Sequence, residues 1–175
     1  MTNIIKKNGF INGIILGIIL MAMSGYIYFG DLKLMNSVWF GAIKIVVTVI
    51  FGIISILYAK KKSDGLITFR EAFSAYFLTI FIGSCIGCLF MIVLFSLVFS
   101  PEKIEIIKNI QADFNVYIMK LNYASKEDIN KAIAISKTFD PSSVAVIIKS
   151  AMAFLLRDCL IGFLVALIFR NKRTV

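Results

Sequence analysis

The sequence predicts an all-α membrane protein: four transmembrane helices, with amphipathic extracytoplasmic helices between the third and the fourth. Two observations carry this. The chain of 175 residues is 59% hydrophobic, with a mean hydropathy of +0.90, whereas soluble domains hold about 45–50% apolar residues. Those residues are also gathered into four long runs, and Lys and Arg cluster where the runs end, as spanning helices require. About half of the chain is committed to spans, so residues 1–175 form a single integral membrane domain with no room for a separate soluble core. The net charge of +9 is placed to set topology and to touch anionic headgroups. The bilayer is therefore the expected partner, and nucleic acid is not.

In chain order, Lys6 and Lys7 precede an apolar run from about 9 to 29, long enough to cross ~30 Å at ~1.5 Å per residue. Ala22-Met23-Ser24 imitates a signal-peptide cleavage site, but apolar residues continue to Phe29, so an uncleaved anchor is preferred. Asp31, Lys33 and Asn36 form a polar turn, and the second span covers 38–59, with Trp39 at the expected level of an interfacial aromatic belt. A Lys60-Lys61-Lys62 loop leads into the third span, 69–99, which is longer than a bilayer needs and must tilt or project. Ser100-Pro101 then opens the segment 101–140, whose six carboxylates and six lysines exclude a span. Ile107, Ile110, Phe114, Tyr117, Ile118 and Leu121 recur at helical spacing, which predicts a helix with one apolar face. A second short helix is expected from Lys126 to Thr138, capped by Ser125 with Asp128. Asp140-Pro141 reads as the cap and first turn of the last helix, whose span covers 145–169 and runs into Arg170, Lys172 and Arg173.

The loop before the third span holds the most specific local pattern. Thr68 and Glu71 stand in the order of a capping box, which starts a helix at Phe69, and Asp64-Gly65 is a turn signal. The stretch Gly65-Leu66-Ile67-Thr68-Phe69-Arg70-Glu71-Ala72-Phe73 resembles the signature of the bacterial membrane proteins grouped as Domain of Unknown Function 4199. The layout of the whole chain is similar to that family too: a helix pair, the signature, a third helix, a variable segment and a last helix with a basic end. The resemblance implies a membrane protein and supplies no activity or functional residues.

Basic residues near the helix ends give the orientation. Lys6, Lys7, Lys60, Lys61, Lys62, Arg70, Arg170, Lys172 and Arg173 fall on one side of a four-helix topology, while the loop between the first two spans holds only Lys33. Both termini are expected to be cytoplasmic, in a bacterial inner membrane.

Three constellations inside the spans are candidates for function. Lys44 lies in the second span and Arg157 and Asp158 in the fourth, ~9 to 12 Å deep when helix starts at Val38 and Ser150 are assumed. An unpaired charge there costs at least ~2.5–3.5 kcal/mol, so Asp158 should pair with Lys44 or Arg157. A Lys44–Asp158 bridge across helices leaves Arg157 to snorkel outward or meet another partner. The readings are a structural ion pair or a polar site for an ion or small anion. Cys85-Ile86-Gly87-Cys88 has the C-x-x-C spacing of thiol oxidoreductases, but it sits ~20 Å from the start of its helix, far from any aqueous partner, so the cysteines, Cys159 included, read as small packing residues. Finally, Gly9, Gly13 and Gly17 share a face of the first helix, Gly83 and Gly87 of the third, and Gly162 and Ala166 of the fourth. Small faces let helices approach closely in lipid. From their depths the first and fourth helices are expected to touch through Gly13, Gly17, Gly162 and Ala166, with homo-oligomers through the glycine faces as the alternative.

Catalysis finds no foothold. The chain has no His, which removes Ser-His-Asp, Cys-His and H-E-x-x-H sites, and no phosphate-cradling or dinucleotide fingerprint is present. Glu102, Glu105, Asp113, Glu127, Asp128 and Asp140 are interspersed with lysines and read as a solvated face, so neither metal nor cofactor is expected. The preferred reading is a non-enzymatic accessory or scaffold that packs its helices against a membrane partner. The alternative is an oligomeric transporter or channel component built around Lys44, Arg157 and Asp158.

Overall fold

The computed structural model describes residues 3–171, and every regular element among them is helical. Six α-helices follow in order: α1 Asn3–Gly25, α2 Val38–Lys62, α3 Phe69–Val93, α4 Pro101–Leu121, α5 Lys126–Thr138 and α6 Val144–Phe169. Four stretches are long and apolar enough to cross a membrane, namely Ile5–Gly30, Val38–Lys62, Phe69–Val98 and Val144–Phe169. The chain is a multi-pass membrane protein by this measure. The first helix runs unbroken through Ala22 and Ser24. Lys172 and Arg173, counted in the orientation argument, lie outside the described residues.

The caps form where the sequence places them. Thr68 and Glu71 complete the capping box: the Thr68 N–H donates to Glu71 Oε2 at 3.0 Å and the Glu71 N–H to Thr68 Oγ1 at 3.3 Å. Asp64 and Gly65 both have positive φ, and the Gly65 N–H turns back to the Lys60 carbonyl at 3.0 Å, closing the end of α2. Ser100 caps α4 by accepting from the Lys103 N–H, and Ser125 caps α5 by accepting from the Asp128 N–H. The last helix is different. Asp140 does not cap it; its carboxylate accepts from the Ser142 N–H and hydroxyl in a tight turn, and α6 starts at Val144. A short side chain bonding to the backbone two residues on favours a turn over a helix start.

At the centre of the bundle is α3, which touches α1, α2 and α6. Its contact with α1 is an interlock. A Cβ on Gly13 would stand 2.7 Å from Ile82 Cβ, one on Gly17 2.7 Å from Ile86 Cβ, and one on Gly9 2.9 Å from Leu78 Cδ2, while Leu16 presses into Gly83 in return. Lipid tails are as apolar as Leu, so such close approach, not a hydrophobic drive, holds spanning helices together. The expected contact between the first and fourth spanning helices is thereby corrected. The glycine face of α1 is filled by branched side chains of α3, and Gly162 of α6 meets Tyr76 of α3. Equal depth made α1 and α6 compatible, but α3 stands against both.

Two apolar clusters mark the ends. One gathers Ile5, Ile56, Ala59, Ile67, Ala72 and Ala166, which brings residues 3 and 171 of the described chain to the end that carries Lys60–Lys62. Here the Ile67 N–H donates to Asn171 Oδ1 at 3.1 Å, the Asn171 N–H returns a bond to the Ile67 carbonyl at 3.0 Å, and Lys60 Nζ reaches the Phe169 carbonyl at 3.4 Å. A cation at a helix C-terminus is favourable against the helix dipole. The opposite cluster joins Ile27, Tyr28, Leu94, Phe95, Phe99, Ile107 and Ile147. The spans of α1 and α3 both finish there in a π-helical turn, Tyr26–Gly30 and Leu94–Val98, and Tyr28, Phe95 and Phe99 meet with ring centroids 5.4 to 5.6 Å apart. Lys103 of α4 lies over the Phe99 ring at 4.7 Å, and Asn36 Nδ2 donates to the Ile110 carbonyl at 3.0 Å. These contacts seat α4 on this end.

Candidate functional site: a charged cluster inside the bundle

On α6, Asp158 faces inward and is 5% exposed, whereas the Arg157 side chain lies on the flank and is 41% exposed. Adjacent helical positions point about 100° apart, so one residue reaches the core as its neighbour faces out. The flexible arginine folds back along its own helix. Arg157 Nη2 stands 2.8 Å from Asp158 Oδ1, and Nε donates to the same oxygen at 2.9 Å. The two nitrogens thus converge on one oxygen and do not grip both as a fork would. The guanidinium also lies over Phe154, one turn earlier, at 5.2 Å from the ring centroid.

Lys44 is half-buried on α2 and lies within electrostatic range of both Arg157 and Asp158. The expected bridge from Lys44 to Asp158 does not form; Arg157 takes the carboxylate. Arg157 is the neighbouring residue on the same helix and reaches the carboxylate by folding back. Lys44 stands on α2 about one helical turn (~6 Å) away along the axis, taking Gly52 and Gly162, which flank the same Tyr76 ring, as level.

Beneath this pair lies Tyr76, which the sequence reading did not single out. Its ring is completely buried between Gly52 of α2 and Gly162 of α6, and a Cβ at either glycine would overlap the ring. The Tyr76 hydroxyl is buried with no hydrogen-bond partner, though Asp158, Cys159 and Arg157 are within its electrostatic range. The cluster is therefore a fully buried phenol, a buried carboxylate, a flanking guanidinium and a nearby ammonium, held by three helices. It can orient a proton or accept an anionic group from outside.

A separate polar ladder ties the other half of the bundle. Asn12 donates to Asn8 Oδ1 at 3.0 Å, Asn8 to the Ser55 hydroxyl at 3.1 Å and carbonyl at 3.2 Å, and Ser55 Oγ to the Ala75 carbonyl at 3.1 Å. Thr79 Oγ1 donates to the Ala75 carbonyl at 3.0 Å and to that of Gly9 at 3.5 Å. This ladder was also missed. The signal was present, in Asn8 and Asn12 four apart and in Thr48, Gly52, Ser55 and Ala59 along one buried face of α2.

The remaining candidates are distributed elsewhere. Gly87 meets only Leu20, 3.9 Å from its Cβ position, and Ala166 is buried at the basic end. Cys85, Cys88 and Cys159 are free thiols, with Cys85 on the outer surface of the bundle. In the signature, Phe69 stacks on Phe73 and meets Phe163 edge-on at 5.2 Å, so the signature residues order a helix start and bind it to α6. An apolar groove of about 710 Å³ runs between α4 and α5, lined among others by Phe114, Met119, Ile135 and Phe139.

Comparison with known proteins gives one match. The family described as Protein of unknown function (DUF4199) matches residues 11–171, nearly the whole chain. No curated protein and no solved structure matches.

Proposed function

We propose, for a chain that belongs to the DUF4199 family of proteins of unknown function, that it is a non-enzymatic accessory or scaffold protein of the bacterial inner membrane. In this reading its spanning helices hold a partner membrane protein, both termini are cytoplasmic, and α4 and α5 are extracytoplasmic. The observation that carries it is the position of Arg157. This residue is about 18 to 20 Å from either end of α6, with its side chain 41% exposed on the flank of the bundle. An arginine in mid-span cannot extend its head to either face of a ~30 Å hydrocarbon layer, and leaving it in lipid costs at least ~2.5–3.5 kcal/mol. A protein neighbour on that flank removes the cost. Gly9, Gly13 and Gly17 of α1 and Gly83 of α3 are occupied inside the monomer, which supports the α6 flank over the α1 glycine face as the interaction surface.

Mass analysis of the protein extracted with native lipid tests this. A fixed ratio to one other membrane protein, lost in the double variant Arg157→Leu with Asp158→Leu, is expected; a homo-oligomer with no foreign chain would sink the reading. For the orientation, an impermeant thiol reagent added outside the cells should label Ser125→Cys and spare Ser63→Cys. The second reading, an oligomeric transporter or channel component, is favoured by the unpartnered Tyr76 hydroxyl beside Asp158. It predicts solute flux that Asp158→Asn and Lys44→Met abolish.

A further inference from the structure

The charges of the cluster do not balance. Lys44 and Arg157 bring two cations and Asp158 one carboxylate. The other carboxylate within a span, Glu71, is engaged at the start of α3 by Thr68. An arginine side chain keeps its proton and carries five N–H donors. Asp158 takes two contacts from it, through Nε and Nη2, on a single oxygen. The rest of the guanidinium faces the flank of α6. Depth then limits what can meet it: along α6, Arg157 is about 12 Å from the exposed Lys149 on one side and about 18 Å from Phe169 on the other, with no other charge between them but Asp158, while headgroup phosphates lie at the bilayer surface.

We propose that the α6 flank around Arg157 docks one transmembrane helix of a different protein, and that this helix presents an aspartate or glutamate at mid-membrane to the Arg157 guanidinium. This rests on the accessory reading above and names the chemistry of its partner. A carboxylate there gives a bidentate guanidinium contact that Asp158 does not supply and neutralises the excess positive charge. The backbone has room to approach, since Ala153 and Ser150, four and seven residues before Arg157 on the same face, are exposed and small. A second copy of this chain fits poorly: it would bring its own Lys44 and Arg157, doubling the excess, and its Asp158 is already held by its own arginine.

The test uses designed leucine helices long enough to span, carrying a single Glu, Gln or Arg at the midpoint. Each is labelled with an energy-transfer acceptor and mixed with the donor-labelled full chain in phosphatidylcholine vesicles. The Glu helix is expected to associate on the order of tenfold more tightly than the Gln helix, and the Arg helix least. The preference should vanish in Arg157→Leu with Asp158→Leu, a double variant that removes the cation without stranding a buried carboxylate, and should persist in Asp158→Asn. Helical circular dichroism of each variant checks that the bundle is intact. Equal association of the Glu and Gln helices overturns the inference. So does self-association of the chain that the Glu helix fails to displace. If the helices tie while native-lipid extraction still yields a foreign chain at a fixed ratio, this inference has failed and the accessory reading stands.

Discussion

Substituting Gly162→Ala should break the tightest junction in the bundle. The added Cβ would overlap the Cδ1 and Cε1 side of the Tyr76 ring. The ring cannot slide away, because its other edge, Cδ2 and Cε2, is held against Gly52 in the same manner and the residue is completely buried. Relief requires α6 or α2 to move off α3. Overpacking of this kind costs about 1–3 kcal/mol, and a site closed on both sides belongs at the upper end. Two other glycines provide the scale. A Cβ at Gly87 would meet Leu20 at an ordinary 3.9 Å, and one at Gly41 would meet nothing within 4 Å, so Gly87→Ala and Gly41→Ala should change stability by no more than about 0.5 kcal/mol. Reversible unfolding in mixed micelles, followed by helical circular dichroism, reads all three. Adding Tyr76→Leu to Gly162→Ala should recover part of the loss, since the two sites share one contact. Equal stability for the three glycine variants would refute the clamp.

Three further outcomes follow from the same contacts. Tyr76→Phe removes a buried hydroxyl that has no partner, so it should leave stability unchanged or raise it by up to about 1–3 kcal/mol in the same unfolding assay; a clear loss would mean that the hydroxyl is engaged. Thr68→Ala removes the hydroxyl half of the capping box, the acceptor for the Glu71 N–H, together with the hydroxyl's own bond to Glu71 Oε2, while the Thr68 N–H to Glu71 bond remains; it should cost about 0.5–2 kcal/mol, read as faster amide exchange in the first turn of α3. The Asp140 carboxyl is held below the usual carboxylate range, first by the Ser142 hydroxyl and then by the Ser142 N–H. Its folded form titrates below its unfolded form, so its contribution is present above the ordinary carboxylate range and is lost as pH falls through the lowered value. Ser142→Ala should move the Asp140 titration, followed by carbon-13 resonance, back toward ordinary.

The spans, the basic loop and most helix starts were legible because they depend on local properties. A run of apolar residues has one tenable state in a bilayer, and Thr68 with Glu71 or Ser125 with Asp128 satisfies the first N–H groups of its own helix. The exception is equally local: Asp140 followed by Pro141 has the form of a cap, yet Ser142 offers its carboxylate a nearer bond. The candidate site was legible in its members and not in its wiring. Lys44, Arg157 and Asp158 stand out as charges within apolar runs. That Arg157 binds Asp158 follows from the rotamer that folds its guanidinium back along α6, which the residue types do not specify.

By itself, then, the sequence determined that this chain holds four helices long and apolar enough to cross a membrane, where most of its helices start, and which residues are too polar to be there without cause. Only the tertiary structure decided who meets whom. A glycine face declares that something will approach closely without naming it, so Gly13 and Gly17 could have met α6 as well as α3. The choice was made by Ile82 and Ile86, whose shapes fill those notches, and by Tyr76, which occupies the space between Gly52 and Gly162. Shape complementarity between helices is a property of two surfaces together, and it emerges only once both are in place.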